Sequence, residues 1–181
     1  MRTHFLLTTL SALLGNLALA ADFSLSSPDL QAGTTLPMAQ VANDFGCHGG
    51  NIQPALQWDN PPAGTQSYAI TVYDPDAPTG SGWWHWLAFN LPANTRSLPS
   101  NASAEHKLPA GTVETRTDVG YPGFFGACPP VGDKPHRYIF TVHALKVPKL
   151  DLPVSASGAL VGYMINANQI SKASFTMHYS R

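Results

Sequence analysis

Charge is what this sequence has least of. Asp, Glu, Lys and Arg make up only 12% of its 181 residues, about half the usual share. The 10 Lys and Arg face 11 Asp and Glu, and the cations are scattered, so no basic stripe can track a phosphate backbone. That excludes a nucleic-acid binder. A hydrophobic share of 44% excludes a disordered chain. There is no internal repeat and no sustained heptad, which removes solenoids and coiled coils. Past residue 20 no apolar run is long enough for a membrane span. Cysteine is scarce, with two in all and no closely spaced pair, a weak metal signal. No HExxH or phosphate-loop motif occurs. Gly80-Ser81-Gly82 lacks both the Gly-x-Ser-x-Gly pattern and its strand–turn–helix setting. With no convincing nucleophile and no cofactor motif, the sequence is read as that of a non-enzyme.

Turn formers, by contrast, are plentiful. Sixteen Pro and 15 Gly point to a loop-rich, mainly β domain, and the length suits one core. Residues 1–20 read as a cleaved signal peptide. Arg2 and His4 precede an apolar run from Phe5, and Ala18-Leu19-Ala20 supplies the small residues of a cleavage site. Residues 21–181 are then a single exported domain, periplasmic or secreted. Its charge stays near zero, which is compatible with self-association, a homodimer included. Export also favours a Cys47–Cys128 disulfide over two buried thiols or half of a metal site. Such a bridge would stabilise by roughly 4 kcal/mol in the chain-entropy picture.

Residues 21–30 read as a short strand or extended arm, and strands are predicted at 67–73, 84–91, 111–116, 136–145 and 172–179, from β-branched and aromatic composition between Gly/Pro breaks. Alternation puts His85, Leu87, Phe89 and Leu91 on one face, and His136, Tyr138, Phe140, Val142 and Ala144 on another. Residues 43–53, 93–110 and 118–135 read as loops. Leu160, Val161, Met164, Ile165 and Asn168 follow helical spacing, with Ser155 or Ser157 as cap.

Three junctions carry the chemistry: Asp74-Pro75-Asp76-Ala77-Pro78, Trp83-Trp84-His85-Trp86, and Cys128-Pro129-Pro130 leading to His136-Arg137-Tyr138. In each, an apolar strand meets a polar loop that proline or glycine stiffens, a setting that suits a preformed pocket. Histidines and a phenol can serve an oxyanion. Each residue also has a plainer reading. Asp74 and Asp76 could form Asx turns, Asp76 with Arg137 as a buried partner. His85 could be a satisfied core histidine, His136 a loop cap, and Tyr138 a core phenol tied to backbone. The three clustered tryptophans, with His48, His106, His143 and His178, read as structural or surface residues.

Together these motifs, with Asn90 and Val131-Gly132, resemble the phosphatidylethanolamine-binding protein (PEBP) family, which includes the Raf-kinase-inhibitor-like proteins. Phe45-Gly46-Cys47, Gly126-Ala127-Cys128 and residues 157–163 resemble its bacterial YbcL-like exported branch. The resemblance implies a β-sandwich around a large antiparallel sheet, with one clear helix in the C-terminal region. It also implies an anion pocket near one end of that sheet. Asp74, His85, His136 and Tyr138 would line it, Pro129 and Pro130 would shape its wall, and Cys128 would offer a backbone N–H. Asp74 would orient His85 or His136 and raise its pKa, and a bridge from Cys47 would clamp the pocket loop. The family's unusual cis bonds make Ala77–Pro78 the expected cis peptide. Because the sequence stops soon after its last strand, the pocket is expected to be open on that side.

The leading functional expectation is a non-catalytic binder of small anions such as phosphate or a phospholipid head group. The alternatives are a secreted module acting on a protein partner and an Asp/His acid–base hydrolase. A carbohydrate module ranks last.

Overall fold

The computed structural model describes residues 21–181, so the expected signal peptide at 1–20 lies outside the described residues. Strands form where β-branched and aromatic residues run between turn formers. They are β1 (Ser24–Ser26), β2 (Leu56–Asp59), β3 (Ser67–Asp74), β4 (Trp83–Pro92), β5 (Ser97–Leu98), β6 (Val113–Glu114), β7 (His136–Leu145) and β8 (Gln169–Tyr179). The single α-helix among the described residues, α1, spans Gly158–Asn168. Two antiparallel sheets result, β1-β2-β5 and β6-β4-β3-β7-β8.

The small sheet covers one face of the large one. Leu56, Trp58 and Leu98 pack there against Tyr68, Ile70, Trp86, Phe140 and Met177. Trp58 meets Tyr68 edge-on, ring centroids 5.4 Å apart. On the opposite face α1 buries Val161 and Ile165 over Ala69, Leu87, Phe89 and Leu145. Covered on both sides, β3 is buried almost continuously rather than at alternate residues. Ser157 caps α1 by accepting from the Leu160 N–H.

The predicted β7 bounds hold, and Tyr138, Phe140, Val142 and Ala144 do share a face. The β4 face prediction fails. Its register against β3 skips His85 between Trp84 and Trp86, and Asn90 between Phe89 and Leu91. Each is the extra residue of a bulge, which re-aims the side chains around it. Asn90 adopts φ +63° and ties its amide to both Leu150 backbone groups. Leu87 and Phe89 therefore face the helix, whereas Leu91 faces the small sheet.

Residues 93–110 are not all surface loop. They contain β5, and Leu98 and Ala102 are buried. The predicted strand at 111–116 shrinks to β6, whose one strand partner is β4. The β2 strand, absent from the sequence prediction, buries Leu56 and Trp58 and exposes Gln57 and Asp59. No cis peptide occurs among the described residues, so Ala77–Pro78 is trans. The turn closes without one: the Asp76 N–H donates to Asp74 Oδ1 at 2.8 Å, and the Thr79 N–H to the Ala77 carbonyl at 2.8 Å. With those bonds made, the trans preference of the amide prevails.

Candidate functional site

Asp74 ends β3, His85 sits on the first bulge of β4, and His136 and Tyr138 open β7. These neighbouring strand ends meet the segment 124–130, which lies along β4. Phe125 exchanges bonds with His85 twice: its N–H donates to the His85 carbonyl, and its carbonyl accepts from His85 Nδ1, both at 2.9 Å. Gly126 presses so close to the Gln40–Ala42 backbone that a Cβ there would overlap it. The disulfide joins Cys47 to Cys128, Cα atoms 5.9 Å apart, and thereby ties 124–130 to the loop before β2.

All seven residues expected at the pocket, Asp74, His85, Cys128, Pro129, Pro130, His136 and Tyr138, line one cavity of about 270 Å³. His85 and His136 are not equivalent within it. His136 Nδ1 lies 2.7 Å from Asp74 Oδ2, and its Nε2 lies 3.3 Å from Asp133 Oδ2. Burial alone would depress its pKa, but the two carboxylates outweigh burial and raise it. Asp74 thus serves His136, one of the two partners expected. His85 has its Nδ1 proton fixed by the Phe125 carbonyl, and burial depresses its pKa against the pull of that carbonyl and of Asp74. Its ring meets Tyr138 edge-on, centroids 5.1 Å apart. Burial, followed by the Asp74 charge, raises the Tyr138 pKa, so the phenol stays protonated. The Tyr138 hydroxyl is buried and has no protein partner among the described residues.

Arg181 is the feature that sequence reasoning missed. Its side chain lines the cavity, with Nε donating to the Pro129 carbonyl at 2.6 Å and Nη1 to the Gly46 carbonyl at 2.9 Å. Nη2 reaches the Phe45 carbonyl at 3.3 Å. The guanidinium therefore fastens the same two loops that the disulfide joins. No carboxylate among the described residues pairs with it. The sequence expectation of a pocket open beyond the last strand does not include this side chain, which lines the cavity there. Nothing in the sequence singles it out, since a basic residue two positions past a strand has no motif. Trp83, Phe45 and Phe125 line the cavity too, whereas Trp86 is core, its Nε1 bonded to Glu114.

Asp76 forms a two-pronged pair with Arg137, Nε to Oδ2 at 2.8 Å and Nη2 to Oδ1 at 2.7 Å. The pair is solvent-exposed rather than buried as expected, with 51% of the Arg137 side chain accessible. Arg137 still holds the Asp76 carboxyl at about 2. His143 is structural, bonded to Thr71 and Gln169. Among the described residues no cluster of ligating side chains could hold a metal ion, and no helix is long and apolar enough to cross a membrane.

The sequence profile of the phosphatidylethanolamine-binding protein family matches residues 26–180. Escherichia coli YbcL is 51% identical over 176 residues, 96% of each chain. Escherichia coli YbhB is 51% identical over 157 residues, 86% of this chain and 99% of its own. The crystal structure of E. coli YbcL, described as a new member of the mammalian PEBP family, superposes with a TM-score of 0.87 at 52% identity. It covers 89% of this chain and 99% of that one. The chain belongs to the phosphatidylethanolamine-binding protein family.

Proposed function

We propose that the protein is an exported, non-catalytic binder of small anions, phosphate or a phospholipid-head-group-like group, taken up in the cavity between Asp74, His85, Cys128, Pro129, Pro130, His136 and Tyr138. One observation carries the reading: the buried Tyr138 hydroxyl has no protein partner among the described residues, and Tyr138 lines the cavity. A buried donor left unpaired costs about 1–3 kcal/mol, and a ligand oxygen would recover it. Arg181 supplies positive charge nearby, and the carboxylates beside His136 favour its charged form. Among the described residues no activated nucleophile faces the cavity. Both cysteines are bridged, and the Thr79 hydroxyl donates to the Gly82 carbonyl.

The test is a titration of the folded protein with O-phosphoethanolamine, followed by the ring signals of His85 and His136. Both should move, and Tyr138→Phe should weaken binding about tenfold or more, the worth of a hydrogen bond to a charged group. Unmoved signals at millimolar ligand would defeat the proposal.

A second reading, a module acting on a protein partner, is favoured by exposed apolar groups on the cavity-lining Phe45 and on Val131, which follows Pro130 in sequence. Phe45 is 61% exposed and Val131 77%. It requires a partner that still binds the Tyr138→Phe protein and is lost on Val131→Asp.

A further inference from the structure

The hydrogen-bonding groups in the cavity are unevenly matched to a bare anion. His136 has no donor left to offer, because Asp74 and Asp133 occupy both ring nitrogens. His85 is occupied on one side only. A carbonyl can only accept, so the bond to the Phe125 carbonyl places the proton on Nδ1 and leaves Nε2 as a lone pair. No hydrogen bond reaches that nitrogen among the described residues; the Gly126 backbone lies close to the ring and, like the Phe125 carbonyl, favours its charged form. The ring lines the cavity together with Tyr138, which it meets edge-on. The site therefore holds one unpartnered buried donor and one unpartnered acceptor on neighbouring rings.

A fully deprotonated oxyanion accepts well from Tyr138, but against Nε2 it sets lone pair on lone pair. A proton between them resolves the clash. The charged and titratable groups facing His85 come from four places: Asp74 on β3, His136 and Tyr138 on β7, Asp118 in the connection ahead of β7, and Arg181 after β8. The two acids favour a charged ring, yet burial opposes it and prevails. Charging the ring from solvent is therefore costly, and a ligand that carries its own hydroxyl avoids that cost. Phosphate monoesters do, since their second ionisation lies near pH ~6, close to that of an imidazole. Phosphodiesters have no such proton.

Building on the anion-pocket reading, we propose that the ligand is bound together with one proton held between its oxygen and His85 Nε2. The pocket would thereby select protonatable oxyanions of the phosphate-monoester class over phosphodiesters. No covalent bond changes. Above the ligand's second pKa one proton is taken from solvent for each anion bound.

Calorimetry of the whole protein, in two buffers of different ionisation enthalpy, counts that proton. O-phosphoethanolamine is the monoester probe and glycerophosphoethanolamine the diester. The monoester is expected to bind about tenfold or more tightly than the diester near neutral pH. It should take up about one proton per site at pH ~8, so that affinity falls about tenfold per further pH unit. His85→Gln, whose amide donates without titrating, should keep monoester binding, lose the proton uptake and narrow the preference. Should that variant fail to fold, the wild-type proton count decides alone. Vesicles of phosphatidylcholine with and without phosphatidic acid separate a lipid monoester from a free one, and binding to either supports the class. Equal affinity for monoester and diester, or binding without proton uptake, overturns the inference and leaves the anion pocket standing. Failure of both soluble probes to bind at millimolar concentration overturns both.

Discussion

The two histidines of the cavity end in opposite states because their neighbours differ. His136 lies between two carboxylates and is favoured as a cation, whereas His85 bonds a carbonyl under heavy burial and is favoured neutral. Asp74→Asn should therefore lower the His136 pKa, read from its NMR titration, and an unchanged pKa would break the assigned pairing. The same bond links His136 to stability. Its folded pKa is raised, so its contribution is complete below the unfolded value near pH ~6.5 and is lost as pH rises through the folded value. His143 has the opposite sign. Burial, aided by Lys172, depresses it to about 4, so stability should fall as pH drops from about 6.5 to about 4, by on the order of 3 kcal/mol. In urea unfolding at a series of pH values, His143→Gln should lose this slope whatever its absolute stability. A slope equal to wild type would contradict the assignment. These residue states were only partly legible in the sequence. The Asp-Pro-Asp-Ala-Pro and Trp-His-Trp resemblance marked Asp74 and His85, but which histidine Asp74 would serve depends on β3 and β7 being neighbours. Arg181 carried no signal at all.

Strand and helix identity was legible where composition and breaks agreed, as in β3, β7 and α1. It failed where pairing rather than composition decides. The β5 strand is two residues long and exists only because Ser97 and Leu98 pair with Gln57 and Leu56. The β2 alternation of Leu56 and Trp58 was present between two prolines and could have been found. The bulges at His85 and Asn90 were not legible, because an apolar strand looks alike in either register. They matter to the site, since the first one delivers His85 to the cavity. Helix placement depends on a glycine: a Cβ at Gly158 would overlap the Trp84 indole. Gly158→Leu should therefore cost about 1–3 kcal/mol by overpacking, measured by denaturant unfolding. No loss of stability would mean that α1 is not seated on Trp84 as described.

At the scale of the whole molecule, a disulfide and a guanidinium bind together the loops that wall the cavity, and the sandwich holds the strand ends beneath them. Removing the bridge as Cys47→Ser with Cys128→Ser should lower stability by about 2–4 kcal/mol. It should weaken anion binding as well, because the wall carrying Cys128, Pro129 and Pro130 loses one of its two fastenings. Unchanged unfolding and unchanged affinity would show that the bridge is incidental. The antiparallel sandwich and the disulfide were foreseen from motif and compartment, whereas the second fastening was not. The most direct test of the cavity itself is a crystal of the protein soaked in millimolar O-phosphoethanolamine. The phosphoryl group should occupy the cavity with one oxygen within hydrogen-bond reach of the Tyr138 hydroxyl and another of His85 Nε2. A cavity that stays empty while the ligand settles elsewhere would contradict the central claim.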